Sequence, residues 1–544
     1  MVLLFPFIKT IDVDHYNVFF KTLIYVIHVL YCFLVNTVFA FINNFTPRKC
    51  VPKIKNALLL KSATDCASLI RKGELTSFDL VSAYIERQKE VHPLINAVAY
   101  DNYEYALRKA AKIDNYLAQL DRHSSEFENL STTKPFLGIP FTVKSSICVK
   151  NCKAIAGIVC RMNLEPCTQE HDGITNLKEA GAIPLSFTNV PTMCLWVESH
   201  NYVSGRTSNP YDIRRTCGGS SGGEGSVIGA GGSLFGIGSD LGGSIRIPAS
   251  LCGVFGFKCS PNALPDNFHI PDGGKDLRHM AHLGPLARYA TDLKEVTKFY
   301  CNDEQRKNLR LDEPTNMQEL KYFYIDDISY LDAEPIANEC RAVVHDVANE
   351  LSKTNVTTQV KIDEFKYSCD FWFAQYQKAV DSKFDGLNGY LNNFDPNEAL
   401  SVPYEMVKNI LGFKTDFDLG ALSLSFDIKH VKSFNEKYLN LYLEKFEAFR
   451  TKLIKMLSND GVLILPAWPT AAPFHRELLF NRANLSYTAV FNALGFPVIS
   501  CPIALNKNGL PLNVQIVAVP NNDKILFDVA IEIEKIFGGW KEAI

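Results

Sequence analysis

CGGSSGGEGSVIGAGGSLFGIGSDLGGSIRIPASLCGVFGFK, residues 217–258, is crowded with glycine and serine but does not read as a linker. A Gly/Ser linker is polar throughout. Here the small residues alternate with Val227, Ile228, Leu234, Phe235, Ile237, Leu241, Ile245, Ile247, Val254, Phe255 and Phe257. That density of apolar residues predicts burial, and buried serines and amides then need hydrogen-bond partners. A glycine-rich segment inside a core also lets backbone approach a ligand or a reacting group closely. Two common uses of such a segment fail on the residues present. A phosphate cradle wants Gly-Lys-Ser/Thr, which does not occur. A G-x-S-x-G elbow wants a histidine partner and a strand-to-helix turn, and none of the serine windows stands at one. Gly242-Gly243-Ser244 fits better, because two bare glycines before a serine can aim N–H groups at one point and form an oxyanion hole. Serine is a weak nucleophile without a base. Ser220, in Gly218-Gly-Ser-Ser-Gly-Gly223, can relay a proton from Ser244 if a neutral lysine accepts it.

Working outward, Leu137-Gly-Ile-Pro-Phe-Thr-Val-Lys144 predicts a strand that ends on a lysine. Residues 171–188 predict a helix followed by a strand. Gly461–Pro466, Gly495–Pro502 and Leu512–Ala518 predict buried strands, with a closing helix over 523–537. Near the start of the body, Ser62 and Thr76 or Ser77 are helix caps, and 102–120 is a further helix. Strands interleaved with helices along the whole chain imply an α/β architecture around a large central sheet. The stretch 402–426, VPYEMVKNILGFKTDFDLGALSLSF, is read as mostly core, with a greasy entrance as its rival.

The motifs GGSSGGEG and GSDLGGSIRIPASLCGVFGFK, with FTVKSS upstream and serines 24 residues apart, resemble the amidase signature family. The resemblance runs from SATDCASLIRKGELTSFDL near residue 62 to a terminal FGGW. It implies a mixed central β-sheet covered by helices on both faces. It also implies a Ser-Ser-Lys triad with Ser244 as nucleophile, Ser220 as the bridging serine on a cis peptide and Lys144 as base. The amides of Leu241, Gly242, Gly243 and Ser244 would form the oxyanion hole, while Ser221, Asp240 and Arg246 match structural positions near the site. The chain departs from the family pattern at Ser145, where an acidic residue is usual, at Thr192, where many relatives carry Glu, and at Asn513, where a glycine is common. The apolar N-terminus, CLWVESHN (194–201) and NPYD (209–212) resemble the branch that cleaves fatty-acid amides to fatty acid and amine through an acyl-enzyme. Two further readings stay open: an amidase of small or aromatic amides, and a weakened relative that binds lipid amides.

Residues 23–42, LIYVIHVLYCFLVNTVFAFI, carry no acidic or strongly basic side chain. About 21 residues at 1.5 Å each reach roughly 31 Å, enough for a bilayer core. His28 and Asn36 weaken the segment without abolishing it. The expected organisation is a segment 1–21, a transmembrane anchor 22–42 and an amidase domain 60–544, of which 300–455 is variable and could border the entrance. A protein crossing an endomembrane once follows, its sidedness undecided by Lys9 and Lys21 on one flank and Arg48, Lys49, Lys53 and Lys55 on the other. The expected partners are the membrane and a lipid amide. A net charge of −3 gives no footprint for nucleic acid, and a homodimer is left open. The 15 cysteines lack scaffold spacing. Cys148-Val-Lys-Asn-Cys152 has no matching His pair, so free thiols are expected and neither metal nor cofactor. Four Asn-x-Ser/Thr sequons, at Asn44, Asn129, Asn355 and Asn484, do not decide which side of a membrane the chain faces.

Overall fold

Phe141, Val143, Phe187, Phe235 and Ile237 are fully buried, and they sit on three strands that read almost continuously apolar. Such runs belong to parallel strands covered on both faces. Pro140–Lys144 (β2) pairs in parallel with both Ile183–Thr188 (β3) and Phe235–Asp240 (β4). The computed structural model describes residues 18–272, 276–328, 333–379, 400–431 and 436–544. Most of segment 1–21 and parts of 300–455 therefore lie outside the described residues.

The other strands of the central sheet are Val98–Asp101 (β1), Phe255–Lys258 (β5), His282–Ala287 (β6), Lys321–Tyr324 (β7), Thr357–Gln359 (β8), Gly461–Pro466 (β9), Val498–Leu505 (β10) and Pro511–Val517 (β11). All eleven join one mixed sheet in the order β1-β3-β2-β4-β6-β5-β10-β11-β9-β7-β8. Helices cover both faces, and one large apolar core runs through the body, with smaller clusters around Trp196 and Trp468 and around Met193 and Leu422. The helices used below are Val18–Asn43 (α1), Gly222–Gly229 (α2), Arg246–Leu251 (α3), Val402–Ile410 (α4), Leu419–Val431 (α5) and Ser486–Leu494 (α6).

Local chemistry explains most boundaries. Ser62 and Thr76 cap their helices by accepting the amides of Asp65 and Asp79 at 3.0 Å each. β10 starts three residues later than the reading of 495–502, because Gly495, at φ +71°, closes α6.

The expectation of core for 402–426 holds for its second half only. Ala421 and Leu422 of α5 are buried, whereas Tyr404, Val407, Ile410, Leu411 and Phe413 are all more than half exposed. α4 is turned so that a carboxylate faces inward. Glu405 accepts from Thr415 Oγ1 at 2.6 Å and from Lys408 Nζ at 2.7 Å, which leaves the apolar stripe outside. Within α1, Thr22–Asn43 has a mean hydropathy of 2.1 and is long and apolar enough to cross a membrane. All 15 cysteines are free thiols, and the sequon at Asn484 is fully buried.

Candidate active site

Parallel neighbours end at the same edge of a sheet, and ligands collect at the carboxyl ends of such strands. β2 ends on Lys144 and β4 on Asp240, with Val143 opposite Ile237. The segments that follow therefore meet. Of residues 217–258, only Leu241 and Ser244 are not fully buried, and both line one cavity together with Ser220, Ser239, Cys194 and His269. The glycine-rich stretch is thus packed core that reaches the cavity at Ser220, Ser239, Asp240, Leu241 and Ser244.

Its glycines are needed for that packing. A Cβ on Gly236 would lie 1.8 Å from Glu224 Oε2, and one on Gly243, at φ +126°, would lie 2.1 Å from Thr488 Oγ1. Ser221 staples the two halves together, its amide donating to the Ser244 carbonyl at 3.0 Å and its hydroxyl to the Ser239 carbonyl at 3.2 Å.

Lys144 is completely buried. Its Nζ donates to Ser220 Oγ at 2.7 Å and to Ser239 Oγ at 2.9 Å. Ser220 follows a cis peptide bond from Gly219. The structure draws no hydrogen bond between Ser220 and Ser244, which share the cavity wall. Burial pushes the Lys144 ammonium below the ordinary lysine range, while Cys194, Asp240 and Glu224 oppose that shift.

The loop after β4 is held from outside. Trp372 Nε1 donates to the Leu241 carbonyl at 2.8 Å, and Thr488 Oγ1 to the Gly242 carbonyl at 2.6 Å. The amides of Leu241, Gly242 and Ser244 have no partner among the described residues. The Gly243 amide differs from the expectation for an oxyanion donor, since it donates to Asp240 Oδ1 at 2.7 Å. Asp240 also accepts from the Ile245 amide at 3.1 Å, Arg246 Nε at 3.0 Å, Arg246 Nη2 at 2.9 Å and Asn492 Nδ2 at 2.9 Å. Burial alone would raise its pKa. The Arg246 guanidinium and these donors outweigh burial and hold the carboxyl well below the usual range.

Several neighbours of the site were not singled out by sequence reasoning. Glu224, at the start of α2, lies behind Lys144. Burial raises its pKa to about 8, although Thr142 and Thr188 donate to it at 2.5 and 2.8 Å. The carboxyl is thus mostly protonated at neutral pH and adds little negative charge beside the lysine. His269 stays neutral, burial and Lys144 lowering its pKa to about 3. Cys194 reaches the cavity because Met193 and Cys194 adopt left-handed φ of 56° and 60°, an uncommon pair for non-glycine residues. Among the departures, the Thr192 amide donates to Asp418 at 3.3 Å, and Asn513 Nδ2 to the carbonyl of Ala249 at 3.3 Å.

A buried lysine driven towards its neutral form beside paired serines is suited to acyl transfer, and the chain is an amide-bond hydrolase by class. The family model described as Amidase matches residues 79–527, so the chain belongs to the amidase family. It is 36% identical over 510 residues to Fatty-acid amide hydrolase 2 of Homo sapiens, covering 91% of this chain and 92% of that protein. It is also 36% identical over 495 residues to Fatty-acid amide hydrolase 2-B of Danio rerio, covering 90% and 92%. A solved structure titled Fatty acid amide hydrolase superposes with a TM-score of 0.69 at 22% identity, over 89% of this chain and 86% of that one.

Proposed function

We propose that this protein is a membrane-bound serine hydrolase that cleaves fatty-acid amides, with Ser244 as nucleophile, Ser220 as relay and Lys144 as base. The observation that carries the reading is the 2.7 Å contact of the buried Lys144 Nζ with Ser220 Oγ, beside a cavity that exposes Ser244. In the acylation step Ser244 Oγ bonds to the substrate carbonyl carbon, passing its proton to Ser220 as Ser220 passes its own to neutral Lys144. The amides of Leu241, Gly242 and Ser244 receive the oxyanion, and one such donor is worth about 3 kcal/mol. Collapse breaks the C–N bond and the same chain returns a proton to the leaving amine. Water, deprotonated along that route, then releases the fatty acid and restores Ser244.

Support for a lipid amide comes from the cavity's two characters. Met193, Leu195, Leu241, Leu277, Leu283 and Tyr376 offer apolar lining for an acyl chain, while Arg278, ion-paired with Asp266 and Asp272, adds polar lining for the amine part. The relatives' printed activity and the apolar α1 support the same reading.

Labelling by a fluorophosphonate probe tests it. Wild type should label, while Ser244→Ala should not and Lys144→Ala should label far more slowly; equal labelling in all three removes the triad. Turnover of oleamide should exceed that of a short-chain amide, and the reverse preference defeats the lipid reading.

A further inference from the structure

His28 and Asn36 interrupt the apolar run of α1, and the fold gives each a partner on the body. His28 Nε2 bonds to the Ala333 carbonyl at 3.0 Å. Asn36 Nδ2 donates to Glu334, whose other oxygen accepts from Asn484 at 3.0 Å and Asn481 at 3.3 Å. Tyr31 donates its hydroxyl to the Phe480 carbonyl at 3.2 Å, and Phe39 meets the Phe480 ring edge-on at 5.7 Å. At the helix's end, Arg214 Nη1 donates to the Asn43 carbonyl at 3.2 Å and to the Thr46 carbonyl at 2.8 Å.

The residues that turn inward, His28, Cys32, Val35, Asn36 and Phe39, recur at helical spacing and form one stripe. From His28 to Asn43 that stripe is about 22 Å long at 1.5 Å per residue. Facing away from it, Ile27, Leu30, Phe33, Leu34, Phe41 and Ile42 are exposed, with Phe33 at 69%.

A helix that left the body to cross a bilayer would carry His28 and Asn36 into hydrocarbon without partners. Glu334, buried among three amide donors, would lose one of them. Docked, His28 Nε2, Asn36 Nδ2 and both carboxylate oxygens of Glu334 have partners. Moving the body to bilayer depth with the helix would bury Glu334, Asn481 and Arg214 there as well. We propose that α1 lies along the body and enters one leaflet by its outer stripe, so that both ends of the helix stay on the same side of a lipid membrane. Charge favours lipid as the occupant of that stripe. No acidic or strongly basic residue stands between Thr22 and Pro47, while Arg48, Lys49, Lys53 and Lys55 follow at one end and are exposed. An apolar strip flanked by basic side chains suits an interface with anionic headgroups.

The inference rests on the membrane-bound part of the function proposed above, and the test separates the two. The full chain, carrying an epitope at each terminus, is expressed in microsomes and digested with protease before and after the membrane is opened. Both epitopes should behave alike; one protected and one digested overturns the one-leaflet placement. Purified wild type should sediment with vesicles of phosphatidylcholine and phosphatidylserine. Failure to sediment at all sinks membrane binding itself, whatever the probe labelling shows. Phe33→Ser with Phe41→Ser should cut sedimentation at least fivefold with the melting temperature unchanged. Unchanged sedimentation, or a vesicle-free dimer that the same pair dissociates, overturns lipid as the occupant. Asn36→Leu should lower the melting temperature by several degrees in detergent, because Glu334 loses a donor. An unchanged melting temperature means that the helix is not docked.

Discussion

In the role proposed for it, Lys144 serves as a base only while it lacks its proton, and an unperturbed lysine, with a pKa of about 10.4, is neutral in about one molecule in 2,500 at pH 7. Burial moves it the useful way, while Cys194, Asp240 and Glu224 act against burial. The protonated state of Glu224, with its pKa near 8, keeps that opposition small at neutral pH. Ser145 matters for the same reason, since a carboxylate there would stabilise the ammonium. Two substitutions should therefore move the acid limb of the pH profile of kcat/KM in opposite directions. Cys194→Ala removes an opposing group, so Lys144 loses its proton more readily and the limb shifts to lower pH. Ser145→Glu adds one, and the limb shifts to higher pH with less activity at pH 7. If both profiles overlay wild type, Lys144 is not the titrating base. Ser145 was legible as a departure from the family pattern. Cys194 was not, because its place beside the lysine depends on two left-handed backbone angles that no residue type announces.

Among the elements, the loop after β4 depends on one buried ion pair. Asp240 and Arg246 are both fully buried, and together they tie the Gly243 and Ile245 amides, the Thr488 carbonyl and Asn492 into one cluster. Removing one member of such a pair strands the other charge and typically costs about 3–5 kcal/mol. Arg246→Met should thus destabilise the protein by about that amount, read as a lower midpoint in urea unfolding with an unchanged slope. A loss below about 1 kcal/mol would show that Asp240 is held by its amide donors alone. Strands and helices were largely legible. β9 and the helix Asp523–Phe537 fall where their apolar pattern placed them, since local pattern and burial agree there. The aspartate and arginine were legible as motif positions. Their use of the Gly243 amide was not, because it turns on the path of the five residues between them. α4 misled for the converse reason: periodicity finds an apolar stripe but cannot say which way it faces when a carboxylate such as Glu405 has partners inside.

At the scale of the whole molecule, two apolar surfaces among the described residues lie outside the core. One is the outer stripe of α1; the other is the stripe of α4 and its following turn, where Ile410, Leu411 and Phe413 are each more than 60% exposed. They are linked through the body. α1 packs on Phe480, Arg482 binds Asp427 of α5 at 2.7 Å, and α5 packs against α4. α5 in turn is preceded by Asp418, which accepts from the amide of Thr192 in the turn that carries Met193 and Cys194 into the cavity. Exposed apolar side chains on this scale mark a surface that meets something apolar, and a long acyl chain held in a bilayer is such a partner. Substrate in lipid and substrate in water should then respond differently to the α4 surface. Ile410→Ser with Phe413→Ser should lower turnover of oleamide presented in vesicles about tenfold, each side chain forfeiting part of the 1.5–3 kcal/mol that burying it contributes. Turnover of a short, water-soluble amide should change by less than twofold, because neither residue lines the cavity. Equal losses on both substrates would place the effect in the fold of α4, and unchanged turnover on both would mean that lipid substrate enters elsewhere.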